Sequence, residues 1–248
     1  MLKIAVAGCC GKMGKMITSL VIKDPGIELF KAFEFPGHPE QGKKISDILG
    51  LDKDVNVNVV TDLVEALTGV GCLIDFTLPE PTIEHLEVCK KLDVPIVIGT
   101  TGFSSKQENI IADASEEIAI VFSPNMAPGV NLLFSMIAKA SKVLGQDFNI
   151  SMDETHHVHK KDSPSGTAKM MQRVVQENCG KYIEVDAKRE GEVIGNHGIV
   201  FDGMFETLEI RHNAKSREAF AAGAIKAAKF IKGKSAGLYT MFDVLDIA

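Results

Sequence analysis

Residues 5–14 read AVAGCCGKMG, a glycine-rich stretch between an apolar segment and a segment of helical periodicity. The apolar run Leu2–Ala7 predicts a buried strand, and the apolar spacing from Met13 to Val21 predicts one face of a helix. A glycine-rich turn between a strand and a helix is the context in which a pyrophosphate binds the N–H groups at the start of the helix. The stretch therefore predicts a dinucleotide-binding turn.

The glycine spacing departs slightly from the usual dinucleotide pattern. Glycines occupy positions 8, 11 and 14, so that the second and third match G-x-G-x-x-G, while Cys9 replaces the first and Gly8 precedes it. Glu34 lies 20 positions beyond Gly14, at the end of the next predicted strand, where a carboxylate can accept hydrogen bonds from ribose hydroxyls. The first arginine in the chain is Arg173, which favours NADH over NADPH. An ordinary tight turn with three chance glycines is the alternative interpretation.

Short apolar segments alternate with helical segments through the first half of the chain. The further predicted strands are Glu28–Phe33, Val55–Val60, Cys72–Phe76, Val94–Ile98 and Ile118–Phe122. Thr61 and Ser104 are predicted N-caps of two of the helices. This alternation predicts an α/β fold, with a Rossmann-like doubly wound parallel sheet covered by helices on both faces.

The pattern changes after about Pro128. Helices are predicted near 130–144 and 167–178, and strands at Phe148–Thr155, Tyr182–Arg189, Ile199–Phe201 and Thr207–His212. We therefore expect a dinucleotide-binding domain at 1–127, completed by 217–248, and an α+β substrate-binding and oligomerisation domain with an open mixed sheet at 128–216. The alanine-rich segment Ala219–Ile231 predicts a helix that packs back onto the first domain.

Composition excludes several classes of protein. The chain carries 27 basic and 33 acidic residues, a formal charge of −6, which disfavours nucleic acid as a partner. No apolar run reaches the roughly 18 residues of a membrane span, and a strand predicted from Leu2 gives no expectation of a signal peptide. The five cysteines are odd in number and form no CxxC pair, which is typical of reduced thiols in a cytoplasmic protein.

The segment 156–161 reads HHVHKK and holds three of the seven histidines. A metal site is one interpretation, but adjacent strand residues point to opposite faces and two lysines would repel a dication. Histidine and lysine also supply positive charge and transferable protons, which favours an anion site with acid–base capability. A solvated polar loop is the third interpretation.

Residues 162–168 read DSPSGTA, which predicts a helix start with N–H groups available to an anion. Two such cationic features in one segment favour a substrate that carries carboxylates. Two loops, GTTGF at 99–103 and SPNM at 123–126, follow predicted strands at the sheet edge where open α/β folds bind ligands. The residues alone leave open whether these loops contact a nicotinamide or only form turns.

The chain resembles the 4-hydroxy-tetrahydrodipicolinate reductase family, also called the dihydrodipicolinate reductases. The family signature E-x-H-x-x-x-K-x-D-x-P-S-G-T-A is present in Glu154, His156, Lys160, Asp162 and residues 164–168. Matching motifs extend from the glycine turn through DFTLPE, VIGTTGF and SPNM to REGEVIGNHGIVF at 189–201, SREAFAAGAI at 216–225 and GLYTMFDVLDI at 237–247. The resemblance thus covers essentially the whole chain.

The resemblance implies roles for individual residues. His156 and Lys160 match the catalytic pair of the family, with Lys160 as the proton donor, and His157, Gly166 and Thr167 match its substrate-binding positions. The implied cofactor contacts are Gly8, Cys9, Cys10, Gly11, Lys12, Met13, Glu34, Gly99, Thr100, Thr101, Ser123, Pro124, Asn125 and Met126. No metal is expected.

The resemblance also implies an activity, the NAD(P)H-dependent reduction of a cyclic imine dicarboxylate with loss of water, in the diaminopimelate–lysine pathway. Cationic His156 and Lys160 would stabilise the developing negative charge. Phe35 stands where some members carry an arginine suited to NADPH, so the cofactor is NADH or NADPH with a lean towards NADH. A homotetramer assembled through the sheet of the second domain is implied as well.

Two other classes of protein are the alternatives. One is a different two-domain NAD(P)-dependent dehydrogenase that acts on a small amino or hydroxy acid. The other is an NADH-binding redox sensor without enzymatic activity, which has no need of the histidine–lysine segment and would carry a DNA-binding or docking element.

Overall fold

The computed structural model describes residues 1–247. The chain divides into two compact units. The first unit comprises Met1–Met126 and Phe220–Leu245, and the second comprises Ala127–Ala219 with Asp246 and Ile247. No helix of the described residues combines the length and the apolar character needed to cross a membrane.

The elements are numbered along the chain. The strands are β1 (Leu2–Ala7), β2 (Ile27–Phe33), β3 (Val59–Val60), β4 (Cys72–Asp75), β5 (Ile96–Ile98), β6 (Ala119–Phe122), β7 (Asn149–His156), β8 (Val185–Arg189), β9 (Asn196–Asp202), β10 (Thr207–Asn213) and β11 (Gly237–Tyr239). The helices are α1 (Lys12–Lys23), α2 (Ile45–Leu49), α3 (Leu63–Leu67), α4 (Pro79–Leu92), α5 (Ser105–Ala114), α6 (Pro128–Leu144), α7 (Gly166–Cys179), α8 (Glu218–Ile231) and α9 (Met241–Leu245).

The first unit is built on a seven-stranded parallel sheet in the order β11-β6-β5-β4-β1-β2-β3. The chain runs outward from β1 through β2 and β3, then crosses to β4 on the other side of β1. The order therefore reverses between β1 and β4, and ligands of open α/β sheets bind at the carboxyl ends of strands at such a point. The predicted Rossmann-like doubly wound sheet is confirmed.

Both faces of this sheet are covered, which explains why its strands are continuous apolar runs. In β1, Ile4 and Val6 pack into one buried layer, while Ala5 and Ala7 pack into the layer on the opposite face. This division follows from the period of two along a strand. Burial on both faces fixes the register of β1 and therefore the position of the glycine turn behind it.

Helix α8 belongs to the core of the first unit, as its alanine content predicted. Ala221, Ala224, Ala227 and Ala228 are fully buried in the same layer as Ile4. Small side chains let the helix backbone approach its neighbours closely. Strand β11, which the sequence analysis did not predict, follows α8 and pairs in parallel with β6.

The second unit contains a four-stranded mixed sheet in the order β10-β9-β7-β8. β7 runs parallel to β8 and antiparallel to β9, and β9 is antiparallel to β10. Helices α6 and α7 contact each other, and α6 also contacts β10. The predicted α+β arrangement with an open mixed sheet is confirmed.

Two predicted strands begin three or four residues later in the chain than the sequence indicated, and β5 begins two residues later, at Ile96. Strand β3 contains only Val59 and Val60, because the backbone at 57–59 bonds to residues 42–45, with Ile45 N donating to Val57 O at 2.9 Å. Strand β8 begins at Val185 instead of Tyr182. There the Ile183 carbonyl accepts a hydrogen bond from the Gln172 side chain at 2.7 Å and so is withdrawn from the ladder.

One predicted N-cap is right and one is wrong. Ser104 caps α5 in a capping box with Gln107. Thr61 does not cap α3, because the N-cap is the next residue, Asp62, whose carboxylate accepts from Glu65 N at 2.7 Å. Aspartate at this position also interacts favourably with the helix dipole, which threonine cannot do.

We expect Asp62→Ala to lower the free energy of unfolding by about 1 kcal/mol, because the Glu65 N–H loses its capping acceptor. Asp62→Asn keeps an acceptor and should cost less. The control is Thr61→Ala, which removes no cap and should stay within about 0.5 kcal/mol of the wild type. Urea unfolding followed by circular dichroism measures all three variants, and a larger loss for Thr61→Ala than for Asp62→Ala would contradict the assignment.

Candidate functional site

The glycine turn of the first unit brings β1 and α1 into close contact. Gly8 has a φ of +59°, and its carbonyl accepts from Gly11 N at 3.0 Å. A Cβ at Gly14 would collide with that same carbonyl, so that only glycine permits this approach. Gly11 is the N-cap of α1 and supplies no side-chain cap, which leaves the first N–H groups of the helix for another acceptor.

Glu34 lies against this turn. It follows β2, is 8% exposed, and its Oε1 accepts from the Cys10 N–H at 2.8 Å. The sequence predicted a carboxylate here for the ribose hydroxyls. The structure places that carboxylate directly beside the turn that would hold the pyrophosphate.

A cavity of about 290 Å³ opens next to Glu34. Its lining is largely apolar, as a heteroaromatic base requires. The lining residues are Gly8, Phe33, Glu34, Phe35, Pro36, Leu63, Thr77, Leu78, Pro81, Glu84 and His85. Turn, carboxylate and cavity together fit the pyrophosphate, ribose and base of a dinucleotide.

His85 is a cavity residue that the sequence analysis missed. Its Nδ1 lies 2.7 Å from Asp75 Oδ2, and the other oxygen of Asp75 accepts from the Thr77 N–H and hydroxyl at 2.8 and 2.6 Å. Asp75 is fully buried, so these contacts replace its lost hydration. Asp75 and Thr77 therefore have a structural role at the end of β4.

The turn residues differ in what they offer a ligand. Cys9 is fully buried in the apolar core, Cys10 and Met13 are half-buried, and Lys12 is exposed. Cys9 can therefore meet a pyrophosphate only through its backbone. Lys12 presents an ammonium group at the start of α1.

The loops after β5 and β6 lie at the carboxyl edge of the same sheet. Gly99 packs against the Phe76 ring, and its N–H donates to Asp75 O at 2.9 Å. The Thr100 hydroxyl is buried at 3.0 Å from the hydroxyl of Thr82, whereas Thr101 is exposed. Gly99 and Thr100 thus have structural contacts of their own in this loop.

The loop after β6, residues 123–126, also has structural contacts of its own. The Ser123 hydroxyl donates to Asn125 O at 3.0 Å, and Met126 is buried in the core. Pro124 is exposed and Asn125 half-buried. Four residues of this loop were predicted to contact the cofactor. A ligand can reach the side chains of only some of them, because Ser123 and Met126 are buried.

A buried carboxylate organises the candidate substrate segment in the second unit. Glu154 on β7 has no exposed surface, and its Oε1 accepts from Ser165 N at 3.0 Å. The Arg189 guanidinium, at the end of β8, lies 3.4 Å from the same oxygen. Ser165 is the N-cap of α7, and its Oγ accepts from Ala168 N at 3.1 Å. Glu154 therefore ties the start of α7 to two strands.

Arg189 also fixes the loop that carries the predicted catalytic residues. Its guanidinium donates to the carbonyls of Asp162 and Lys188 at 2.6 and 2.7 Å. The other side of the loop is bound through the backbone, since Val158 N donates to Gly191 O at 3.1 Å. The histidine–lysine segment is therefore anchored at both sides, while Val158, His159 and Lys161 within it are exposed.

His156 and His197 lie edge to face above Glu154, with ring centroids 5.0 Å apart. His156 Nδ1 and His197 Nε2 lie 3.5 and 3.7 Å from Glu154 Oε2, and His197 Nε2 is 3.3 Å from Ser165 Oγ. A Cβ at Gly195 would come within 2.9 Å of His156 Nε2, so glycine is needed to admit this ring.

Burial keeps both imidazoles neutral in the free chain. Desolvation lowers the pKa of His197 from 6.5 to about 4, with a further contribution from His156. Desolvation also lowers the pKa of His156, although the Glu154 carboxylate opposes it. Burial therefore favours a neutral His156 in the free chain, and the cationic His156 expected in the transition state stays a prediction.

Lys160 supplies the ammonium group of this site. Lys160 is half-buried, and its Nζ lies 2.9 Å from Asp162 Oδ1. Its backbone N–H donates to His157 O at 3.1 Å. The Lys160 ammonium holds the pKa of Asp162 below its ordinary value. Of the predicted substrate-binding positions, His157 is half-buried beside this turn. Gly166 and Thr167 form the first turn of α7.

One grouping in this site resembles a metal centre. Glu154, His156 and His197 offer ligand atoms that lie within 4.8 Å of one another. The Arg189 guanidinium contacts the same carboxylate, and Lys160 lowers the pKa of His156 by its charge. Both cations oppose a dication, so the charges favour an acid–base cluster over a metal centre. Glu154 Oε2 and His156 Nδ1 are buried without a hydrogen-bond partner.

The sequence analysis named Glu154 as part of a motif but gave no role to Arg189 or His197. Residues 189–199 carry the signal, because REGEVIGNHGI contains an arginine, a histidine and three glycines. Their contact with Glu154 depends on strand pairing over 35 and 43 positions, which short-range patterns do not reveal.

Comparison with known proteins agrees with this construction. Residues 2–126 match the family model described as "Dihydrodipicolinate reductase, N-terminus", and residues 129–245 match "Dihydrodipicolinate reductase, C-terminus". A protein named 4-hydroxy-tetrahydrodipicolinate reductase, from Dechloromonas aromatica strain RCB, is 41% identical over 99% of this chain and 98% of its own.

Solved structures show the same fold. The dipicolinate-bound dihydrodipicolinate reductase from Paenisporosarcina sp. TG-14 has a TM-score of 0.84 at 22% identity, covering 98% of both chains. An amine dehydrogenase from Mycobacterium smegmatis has a TM-score of 0.72 at 12% identity, covering 97% of this chain and 95% of its own.

Fold and sites define the class: a two-unit Rossmann-like oxidoreductase that uses a pyridine dinucleotide. Within that class, the chain belongs to the dihydrodipicolinate reductase family. The family predicted from the motifs is thereby confirmed.

The buried state of His197 predicts a pH dependence of stability. Unfolded His197 takes up a proton near pH 6.5, whereas folded His197 does so only near 4, so stability falls as the pH drops between these values. We expect the stability advantage of the wild type over His197→Gln to shrink by about 2 kcal/mol between pH 7.5 and pH 5. Urea unfolding of both proteins at the two pH values measures this difference, and a constant gap would contradict a neutral buried imidazole.

Proposed function

We propose that this chain catalyses the NAD(P)H-dependent reduction of 4-hydroxy-tetrahydrodipicolinate to tetrahydrodipicolinate. The 4-hydroxyl leaves as water with a proton from a neighbouring ring carbon, one hydride and one proton enter the ring, and the dinucleotide is oxidised, so that the net uptake is one hydride and one proton. A bound reduced nicotinamide would supply the hydride. The reaction belongs to the diaminopimelate route to lysine.

The observation that carries this proposal is the anchored segment 156–167 of the second unit. It presents a half-buried ammonium, a neutral imidazole and the first turn of α7 on one short length of chain. Carboxylates bind where N–H groups and positive charge converge. The segment therefore suits a small ring that carries carboxylates, held by His157 and by the backbone at Gly166 and Thr167.

Lys160 is the proton donor in this proposal. Asp162 orients its ammonium group, with Nζ and Oδ1 2.9 Å apart. A positioned donor of this kind accelerates a reaction by about 10²- to 10⁴-fold. His156 begins neutral, so a bound dianion would favour its protonated form and add a second positive charge beside the ring.

NADH is the favoured cofactor. The Glu34 carboxylate can accept both ribose hydroxyls of NADH, while the extra phosphate of NADPH would approach the same negative charge. Phe35, which follows Glu34, is 63% exposed and offers no cation to that phosphate.

The proposal includes a homotetramer in the cytoplasm. Met204 and Phe205, in the turn between β9 and β10, are 88% and 94% exposed, which supports an interface at the sheet of the second unit. Free thiols at all five cysteines agree with a reducing compartment.

We expect Lys160→Met to lower kcat by more than tenfold, with NADH affinity unchanged, because the ring loses its proton donor. Lys161→Met is the matched control, since Lys161 is the adjacent, exposed lysine of the same segment. Steady-state oxidation of NADH with the enzymatically generated substrate gives kcat, and fluorescence titration gives NADH affinity. Unchanged turnover in Lys160→Met, or an equal loss in Lys161→Met, would remove Lys160 from this role.

We expect Glu34→Ala to weaken NADH binding by about tenfold and to change NADPH binding little, because the ribose hydroxyls lose their acceptor. Calorimetric titration of each reduced cofactor measures both effects. Glu28→Ala, on the exposed side of β2, is the control for the loss of a carboxylate. Equal losses for the two cofactors would show that Glu34 acts on a part of the dinucleotide that they share.

A further inference from the structure

Two adjacent thiols lie beside Glu34 in the dinucleotide turn. Cys9 Sγ and Cys10 Sγ are 3.8 Å apart. A Glu34 carboxylate oxygen lies within 4.8 Å of both sulfurs. The turn itself uses backbone groups and glycines, and a ribose contact uses only the carboxylate. Neither function accounts for a pair of thiols at this point.

The distance between the two sulfurs matches a tetrahedral soft-metal site. Zinc binds thiolate sulfur at about 2.3 Å, and the tetrahedral angle then places two sulfurs about 3.8 Å apart. Carboxylate oxygen is a third ligand of the type that zinc accepts, and a water molecule can complete the tetrahedron. The backbone holds this arrangement, since Cys9 N donates to Phe33 O at 3.3 Å and Cys10 N donates to Glu34 Oε1 at 2.8 Å.

We propose that Cys9, Cys10 and Glu34 form a binding site for a soft divalent cation, with Zn²⁺ as its occupant. On binding, each thiol loses its proton to solvent, so that one Zn²⁺ enters and two protons leave. No oxidant or reductant takes part.

The thiols must lose their protons on metal binding, so Zn²⁺ affinity is expected to rise with pH. Burial raises the pKa of both Cys9 and Cys10, so each is protonated at neutral pH in the free chain. Protonated thiols are poor nucleophiles, which argues against a redox-reactive pair. A metal ion replaces the protons directly and stabilises the thiolates.

Zinc and the dinucleotide would exclude each other, an inference that rests on the proposed function. A ligated Glu34 oxygen gives its lone pair to the metal, and the metal occupies the space in front of the carboxylate where ribose hydroxyls would donate. The site would therefore couple dinucleotide affinity to the concentration of free Zn²⁺.

The test is a metal titration of the untagged full-length chain without dinucleotide. Co²⁺ should bind with one equivalent and give a sulfur-to-cobalt charge-transfer band, which Zn²⁺ then abolishes by displacement. Cys10→Ser and Glu34→Gln should each weaken Zn²⁺ binding by at least about tenfold. Cys179→Ser, which removes a thiol from the second unit, should leave the titration unchanged.

Cys9→Ala provides a variant that adds no polar group to the core, and it should also lose the band. Undiminished Zn²⁺ affinity in Cys9→Ala and Cys10→Ser would overturn the site and point to the cluster of Glu154, His156 and His197. A titration of wild type without a charge-transfer band would overturn it as well.

Mutual exclusion is tested by repeating the Zn²⁺ titration with saturating NADH. NADH should weaken Zn²⁺ binding by about tenfold or more, and Zn²⁺ should weaken NADH binding by the same factor. Equal Zn²⁺ affinity with and without bound NADH would overturn the exclusion. Absence of NADH binding to the metal-free chain would contradict the proposed function, and the thiolate band would still report the metal site.

Discussion

The burial of the Glu154 carboxylate is the constraint on which the second unit depends. A carboxylate without exposed surface needs compensating partners, and here the Ser165 N–H and the Arg189 guanidinium contact its Oε1 at 3.0 and 3.4 Å. These partners come from the start of α7 and the end of β8. Satisfying one charge therefore fixes the sheet, the helix N-terminus and the loop between them, and with them the positions of His156 and Lys160.

The first unit also contains a nearly buried carboxylate, Glu34, which accepts a hydrogen bond from a backbone N–H. The donor is the Cys10 N–H, which belongs to the glycine turn. The turn can lie so close only because Gly14 has no Cβ to strike the Gly8 carbonyl. Backbone contacts thus set the distance between the carboxylate and the start of α1.

Sequence patterns predicted the features that depend on neighbouring residues. The Rossmann-like sheet, the cap at Ser104 and the alanine face of α8 follow from local periodicity and local hydrogen bonding. The patterns did not predict β11, whose three residues are defined by pairing with distant β6, or the shortened β3, whose neighbours bond elsewhere. The roles of Arg189 and His197 were missed for the same reason, since both act through contacts with Glu154 that are distant in sequence.

The charges of the second unit constrain how it can receive an anion. Arg189 already bonds Glu154 and two carbonyls, so its guanidinium cannot turn to a ligand without leaving a buried carboxylate uncompensated. Lys160 can exchange Asp162 for a ligand carboxylate, because Asp162 is exposed and would be solvated after the exchange. His156 can gain a proton at the cost of its desolvation, which a neighbouring dianion offsets. Binding of a dicarboxylate would therefore be linked to proton uptake at His156 while Arg189 keeps its place.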